Sequence, residues 1–327
     1  SLFVRNATIG NKLYAIMGDG TLTGLKFSFA TFFDKSVAAD MKIDDLYQTV
    51  LDGKWTWEYQ LSLIRDTWKD IGDQPYAKDE NDNFGLITNA VLGVDPYWSA
   101  FNLGILKPEE DGFEIMLNNK AVQSKMSNSL EAILALFYDS NGTYVLGHEA
   151  DDKEMVLTAP KMLSEHKTLF ATLRLDAVET AFLRNMDDNA YGIIPMPKYD
   201  EAQEHYITYT NPAGLMLVIP KTTADVGCTG AVLEAMASLS HTTLTPAYYD
   251  NALKGKFARD NDSGAMLDLI FENRVYDLTQ IYSWGSMPSS YNALALKGSS
   301  DLASLIAQKQ SAIDTSIEKF VSAFTEE

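Results

Sequence analysis

The sequence predicts an α/β protein built as two lobes, and three observations carry that expectation. At 327 residues the chain is long for one hydrophobic core and comfortable for two. Short apolar runs bounded by Gly and Pro, the mark of buried strands, alternate with stretches of helical periodicity. Between residues 189 and 220, two such runs, Gly192–Met196 and Leu215–Ile219, flank a polar segment, Lys198–His205, unsuited to a core. The chain there is expected to leave one packed body, cross in the open and enter another. Pro195 and Pro197 cannot donate to a strand ladder, so they belong at a strand end or edge.

The elements follow in order. Leu2–Val4 and Lys12–Met17 alternate as strands do, with turns at Gly10-Asn11 and Gly18-Asp19-Gly20. Lys26–Phe33 alternates and then becomes wholly apolar, as in a strand entering the middle of a sheet. From Asp34 the pattern is helical. Asp44 or Asp45 caps a helix ending at Gly53, and Thr56 caps the next, through Ile64 and Trp68. Residues 66–83 form an acidic polar loop. Its Asp79, Asn81 and Asn83 have the spacing of calcium ligands, but Phe84 stands where the turn needs Gly and the closing Glu is missing, so the loop reads as solvated. Helices are expected at about 119–137 and 159–166, a strand at Leu169–Leu173 and a helix at Asp176–Arg184. Beyond Pro220, Ala224–Ser240 carries Cys228, Ala231, Val232, Ala235, Met236 and Leu239 on one face, the pattern of a helix packed on a sheet. Helices near Ser263–Asn273 and at about 299–325 complete the chain.

Composition removes several classes of function. A formal charge of −19 repels phosphate backbones and anionic headgroups, so nucleic acid is a poor partner. The one cysteine, Cys228, permits no internal disulfide and reads as a small core residue. No apolar run approaches the length of a membrane span. His148, His166, His205 and His241 have no helical or cysteine partner at zinc-site spacing, so no metal site is assigned. GDGTLTG at 18–24 lacks the Lys of a phosphate cradle and reads as a hairpin turn, and no cofactor motif is present. The acidic pairs Glu109/Glu110, Asp151/Asp152 and Asp187/Asp188 arise readily among 45 acidic residues, so no catalytic residue is assigned.

The aromatic residues point further. Pro96-Tyr97-Trp98 sits on a bend flanked by Gly and Asp, where rings tend to be exposed, and Tyr282 and Trp284 lie in another irregular stretch. Flat rings with polar edges suit sugars, which offer an apolar face to stack and hydroxyls to hydrogen-bond. Such rings also staple loops to a core, and that is the reading for Trp55, Trp57 and Trp68; for Trp98 and Trp284 both readings stand.

Three stretches, YGIIPMPKYDEAQEHY, PAYYDNALKGKFARDNDSGAMLDLIFENRVYDL and DGKWTWEYQLSLIRDTWKD, resemble the extracellular solute-binding proteins (family 1) of carbohydrate ABC transporters, specifically a maltose-binding-protein-like lipoprotein subgroup. The resemblance implies a two-lobed periplasmic-binding-protein-like (class II) fold that closes on a saccharide without altering it. It divides the chain into an N-terminal lobe of 1–33 and 206–250, a C-terminal lobe of 34–190 and 251–327, and a crossover at 189–210. DPYWSAF resembles the aromatic bend facing the cleft, which implies Tyr97 and Trp98 as ligand-binding residues. YSWGS resembles the stacking aromatic of the second lobe, which implies Trp284. Arg174 lies where many relatives carry another cleft tryptophan, and Tyr209 lies on the crossover; both join the expected set.

The implied partners are a saccharide and the permease subunits of the transporter, and the implied place is the cell surface, where relatives are held by a lipid anchor. Relatives carry a signal sequence and roughly a quarter of the N-terminal lobe before the position of Ser1. The expectation is therefore an N-terminal lobe lacking its first strands, with exposed apolar surface near Leu215–Ile219 and Val232–Leu239. Two other readings stay open: the same fold binding a peptide or other small polar solute, and a carbohydrate-active enzyme.

Overall fold

The structure is a computed structural model that describes Thr8–Ile9, Lys12–Leu13 and residues 21–325, apart from 73–75, 90–91, 110–111, 147–151, 188, 215, 258–260 and 276. Most of the expected strands Leu2–Val4 and Lys12–Met17 lies outside these residues; Thr8–Ile9 pairs antiparallel with Lys12–Leu13.

The centre is a five-stranded mixed sheet. Its strands are β1 (Phe29–Asp34), β2 (Phe84–Asn89), β3 (Thr143–Leu146), β4 (Thr168–Arg174) and β5 (Tyr191–Ile194), in the spatial order β3-β2-β4-β1-β5. β3, β2 and β4 run parallel, while β1 lies antiparallel to both β4 and β5. Register follows side-chain alternation. Phe32, Ile87, Ala171 and Ile193 point into one core; Phe33, Leu86, Phe170 and Ile194 point into the other. All six residues of β1 are buried because both faces are covered, which is why its sequence loses alternation. Pro195 and Pro197 follow directly after edge strand β5, where no ladder donor is needed.

One face is covered by α1 (Trp57–Ile64), α3 (Lys120–Leu134), α7 (Met287–Leu296) and α8 (Leu302–Thr325), with α2 (Asp95–Ala100) among them. The other is covered by α4 (Asp152–Ser164) and α6 (Asn261–Glu272). Side-chain caps start several helices where the sequence places them: Asp45 accepts from the Tyr47 and Gln48 amides, and Thr56 Oγ1 from the Tyr59 amide.

Several expectations need correction. Residues Thr23–Lys26 form a helical turn, so the strand expected from Lys26 begins at Phe29. The helix expected at Asp176–Arg184 is a tight 3-10 turn, Leu175–Glu179, followed by the short helix Ala181–Arg184, with Thr180 capping the latter. Lys198 is buried rather than solvated: its Nζ donates to the carbonyls of Gln203 (2.9 Å) and Glu201 (3.4 Å), so its charge is met inside the fold. The acidic loop folds around Asp82, whose carboxylate accepts from Trp68 Nε1 and the amides of Ile71 and Gly72.

α5 (Val226–Thr242) meets one expectation and departs from another: the apolar surface expected near Val232–Leu239 is exposed, while the packing on a sheet and the core place for Cys228 are not found. It is capped by Asp225 and well formed, yet none of its residues is buried and Cys228 is exposed. Val232, Met236 and Leu239 are each more than half exposed, and Met216 and Val218 face solvent nearby in sequence. From 212 to 247 only Gly214 is buried among the described residues.

Candidate functional site

In an open α/β sheet the strand carboxyl ends gather loops around a crevice, and ligands bind there. In this sheet β2 ends at Asn89 and β4 at Arg174, while antiparallel β1 begins at Phe29, paired with Arg174. A cavity of about 280 Å³ opens at that spot. Phe29, Leu92, Val156, Ala159 and Leu173 give it an apolar wall; Asn89, Thr172, Arg174, Asp176, Glu179 and Thr180 supply polar groups.

Arg174 is locked in place. Its Nε donates to Asp176 Oδ1 (3.0 Å) and its Nη2 to Asp176 Oδ2 (2.8 Å), and the Phe27 ring lies under the guanidinium, 4.4 Å from centroid to Cζ. Burial pushes the Asp176 carboxyl above the usual carboxylate range, against the pull of Arg174. Glu179 accepts from Lys26 Nζ (2.9 Å) and from the Tyr248 hydroxyl (3.0 Å). The wall therefore carries charge in pairs.

Phe29 links the cavity to a second polar cluster, since its ring packs 5.5 Å from that of Tyr209. The Tyr209 hydroxyl donates to Asp95 Oδ2 (3.4 Å), while Asn292 Nδ2 (2.9 Å) and Gln280 Nε2 (3.4 Å) donate to Asp95 Oδ1. Burial raises Asp95 to about 6, and the nearby Asp277 carboxylate adds to the rise. Burial also raises Asp277, which accepts from Trp98 Nε1 and the Thr279 amide.

Of the residues expected from sequence, Arg174 lines the cavity and Tyr209 stands behind its Phe29 wall. Trp98 reaches the Asp95–Asp277 cluster with its indole N–H but is fully buried. The bend expected to expose rings is a short helix, α2, with Pro96 in its first turn, and every residue from Pro96 to Ala100 is buried. Tyr97 lies between Phe101 and Phe137 and donates to Gln60 Oε1 (3.1 Å). Trp284 stacks on Tyr282 and meets Phe320 edge-on, and none of the three lines the cavity. Sequence reasoning missed Phe29, Asn89 and Asp176. The visible signal was Arg174-Leu175-Asp176 directly after a strand, a spacing that lets a carboxylate return onto the guanidinium.

No family model and no curated protein sequence matches the chain. Solved structures do. The sugar-binding protein MalE from Xanthomonas citri is 12% identical, with a TM-score of 0.60 over 98% of this chain and 75% of that one. UgpB from Mycobacterium tuberculosis, in complex with glycerophosphocholine, is 11% identical, with a TM-score of 0.55 over 98% and 74%. A solute-binding protein from Thermotoga lettingae, bound with alpha-D-tagatose, is 13% identical, with a TM-score of 0.51 over 97% and 74%. The fold is that of the two-lobed periplasmic binding proteins. These neighbours are ABC-transporter binding proteins, MalE-like in kind, and at such identities the likeness speaks for the fold alone. Among the described residues no helix is long and apolar enough to cross a membrane.

Proposed function

We propose that this chain is an extracellular solute-binding protein that captures a saccharide and presents it to the permease subunits of an ABC transporter, as a cell-surface lipoprotein and without acting chemically on the sugar. One observation carries the reading: the cavity at the carboxyl ends of β2 and β4 joins an aromatic ring to paired polar groups, in a fold shared with sugar-binding neighbours. A pyranose would lay its apolar face on Phe29 and offer its hydroxyls to Asn89, Thr172 and Arg174. Phe29, Asn89, Thr172 and Arg174 all lie on one sheet, so lobe closure would have to bring the other lobe onto the ligand from the opposite side. Of the aromatic residues first expected at the ligand, the proposal gives the contact to Phe29 rather than to Tyr97, Trp98 or Trp284.

Isothermal titration with maltose, maltotetraose and tagatose, followed by chromatography of the recovered sugar, tests the reading. The expected result is saturable binding of at least one sugar, recovered unchanged, and a loss of about 1–3 kcal/mol with Phe29→Ala. Absence of saccharide binding, or recovery of cleaved sugar, overturns it. A second reading, capture of another small polar solute, draws on the likeness to the glycerophosphocholine-bound neighbour and on Arg174 in the wall. Glycerophosphocholine belongs in the same titration.

A further inference from the structure

We infer that Asp176 is a built-in counter-anion that occupies Arg174 and so reserves the cavity for uncharged ligands. The inference rests on the reading of this cavity as the solute site. Among the described residues lining it, Arg174 is the only cationic side chain. A lone guanidinium in an apolar-walled cavity is an anion trap, because its planar fork matches carboxylate and phosphate with two parallel bonds. Here that edge is already filled: Nε and Nη2 grip the two Asp176 oxygens at 3.0 and 2.8 Å. Phe27 covers one face of the same group. Both side chains of the pair are only 22% exposed, so an anion arriving from solvent would have to displace a carboxylate already stripped of most of its water.

The second carboxylate of the wall acts the same way. Glu179 is held by Lys26 and by the Tyr248 hydroxyl, so it is fixed beside the cavity rather than free to turn away. An incoming phosphate or carboxylate therefore meets two carboxylates and a cation already taken. A polyol meets something different. Its hydroxyls donate to carboxylate oxygens and accept from the guanidinium N–H groups not pointed at Asp176, and its C–H face lies on Phe29. Repulsion of the wrong ligand and attraction of the right one come from the same two residues.

Sulfate is the probe, followed by thermal shift and by the Arg174 Nε–H resonance in 15N-labelled protein. At neutral pH the native chain is expected to bind sulfate no more tightly than Arg174→Gln. Asp176→Asn is expected to gain at least about tenfold in sulfate affinity, and Asp176→Asn with Arg174→Gln to lose the gain. If Asp176→Asn does not fold, the native chain supplies the same test. Burial raises the Asp176 carboxyl, so on acidification it takes up its proton before an exposed aspartate does while sulfate stays charged, and sulfate should then move the Arg174 resonance. Tight sulfate binding by the native chain at neutral pH overturns the inference, as does an Asp176→Asn variant without the gain, or an Arg174 resonance that ignores sulfate in acid. Sulfate behaviour as expected with no sugar bound would overturn the saccharide reading alone. Sugar bound without the sulfate pattern would overturn the counter-anion alone.

Discussion

The indole Nε1 of Trp98 donates a 2.9 Å hydrogen bond to Oδ2 of Asp277, a residue 179 positions further along the chain. The two belong to segments that meet only in the folded state, and the bond closes over a ring with no exposed surface. Trp98 also stands edge-on to Tyr291 at 5.0 Å. Trp98→Ala should therefore destabilise by about 3–5 kcal/mol, the range for a large buried aromatic. Trp98→Phe, which keeps much of the ring but leaves Asp277 short of a donor, should cost about 1–3 kcal/mol. Urea denaturation of both variants checks this; midpoints equal to that of the native chain would show that the ring is not a staple.

Asp95 makes stability depend on pH. Its carboxyl is raised from 3.8 to about 6, chiefly by burial, so the folded state holds the proton more tightly than the unfolded state. Its contribution is fully present below about pH 4 and is lost as pH rises through about 6, and Asp277, raised for the same reason, works in the same direction. The expected size is on the order of 3 kcal/mol. Denaturation midpoints measured across this range should fall more steeply for the native chain than for Asp95→Asn. Equal slopes would remove Asp95 as the source.

Gly142 admits no side chain. A Cβ built there would lie 1.7 Å from the Ile64 carbonyl oxygen and 2.5 Å from Thr67 Oγ1. Gly142 also receives the amides of Gly85 and Leu86 on its own carbonyl, so the backbone has little room to shift. Gly142→Ala should cost about 1–3 kcal/mol or more through overpacking at the junction of β2 and β3. A thermal melt within a degree of the native value would contradict this.

The exposed helix predicts the opposite response. Val232→Ser with Leu239→Ser removes apolar surface that touches no core, so the unfolding free energy should change by no more than about 0.5 kcal/mol. Light scattering of concentrated samples should nevertheless fall, because an exposed apolar patch drives association. Unchanged scattering would show that this face is not sticky.

These contrasts show where the sequence was legible. The buried strands were visible because apolar runs such as Phe29–Phe33 and Tyr191–Ile194 have few other uses, and the caps at Asp45 and Thr56 because their chemistry is local. Burial of particular rings was not visible. Tyr97-Trp98 beside Gly and Asp looks the same whether the bend faces solvent or, as here, becomes a short helix against α7. The apolar face of α5 was read correctly, but a pattern states only what a helix could cover, not what lies beside it. The cavity was hidden for a third reason. Its residues come from three strand ends and from α4, far apart in the chain, and the pairing of β1 and β2 with β4 brings the strand ends together.

That pairing also bears on how the molecule comes into being. β1 is made before β4 and β5, the two strands it sits between, whose residues follow roughly 130 to 160 positions later, so the middle of the sheet cannot close until they emerge. Until then Phe29, Phe32 and Phe33 have neither neighbouring strand, and an apolar, unpaired segment must stay clear of other chains. Folding of the sheet therefore waits for β5, the last of its strands to be made, and the hydrophobic middle stays a guest of the solvent until that strand arrives.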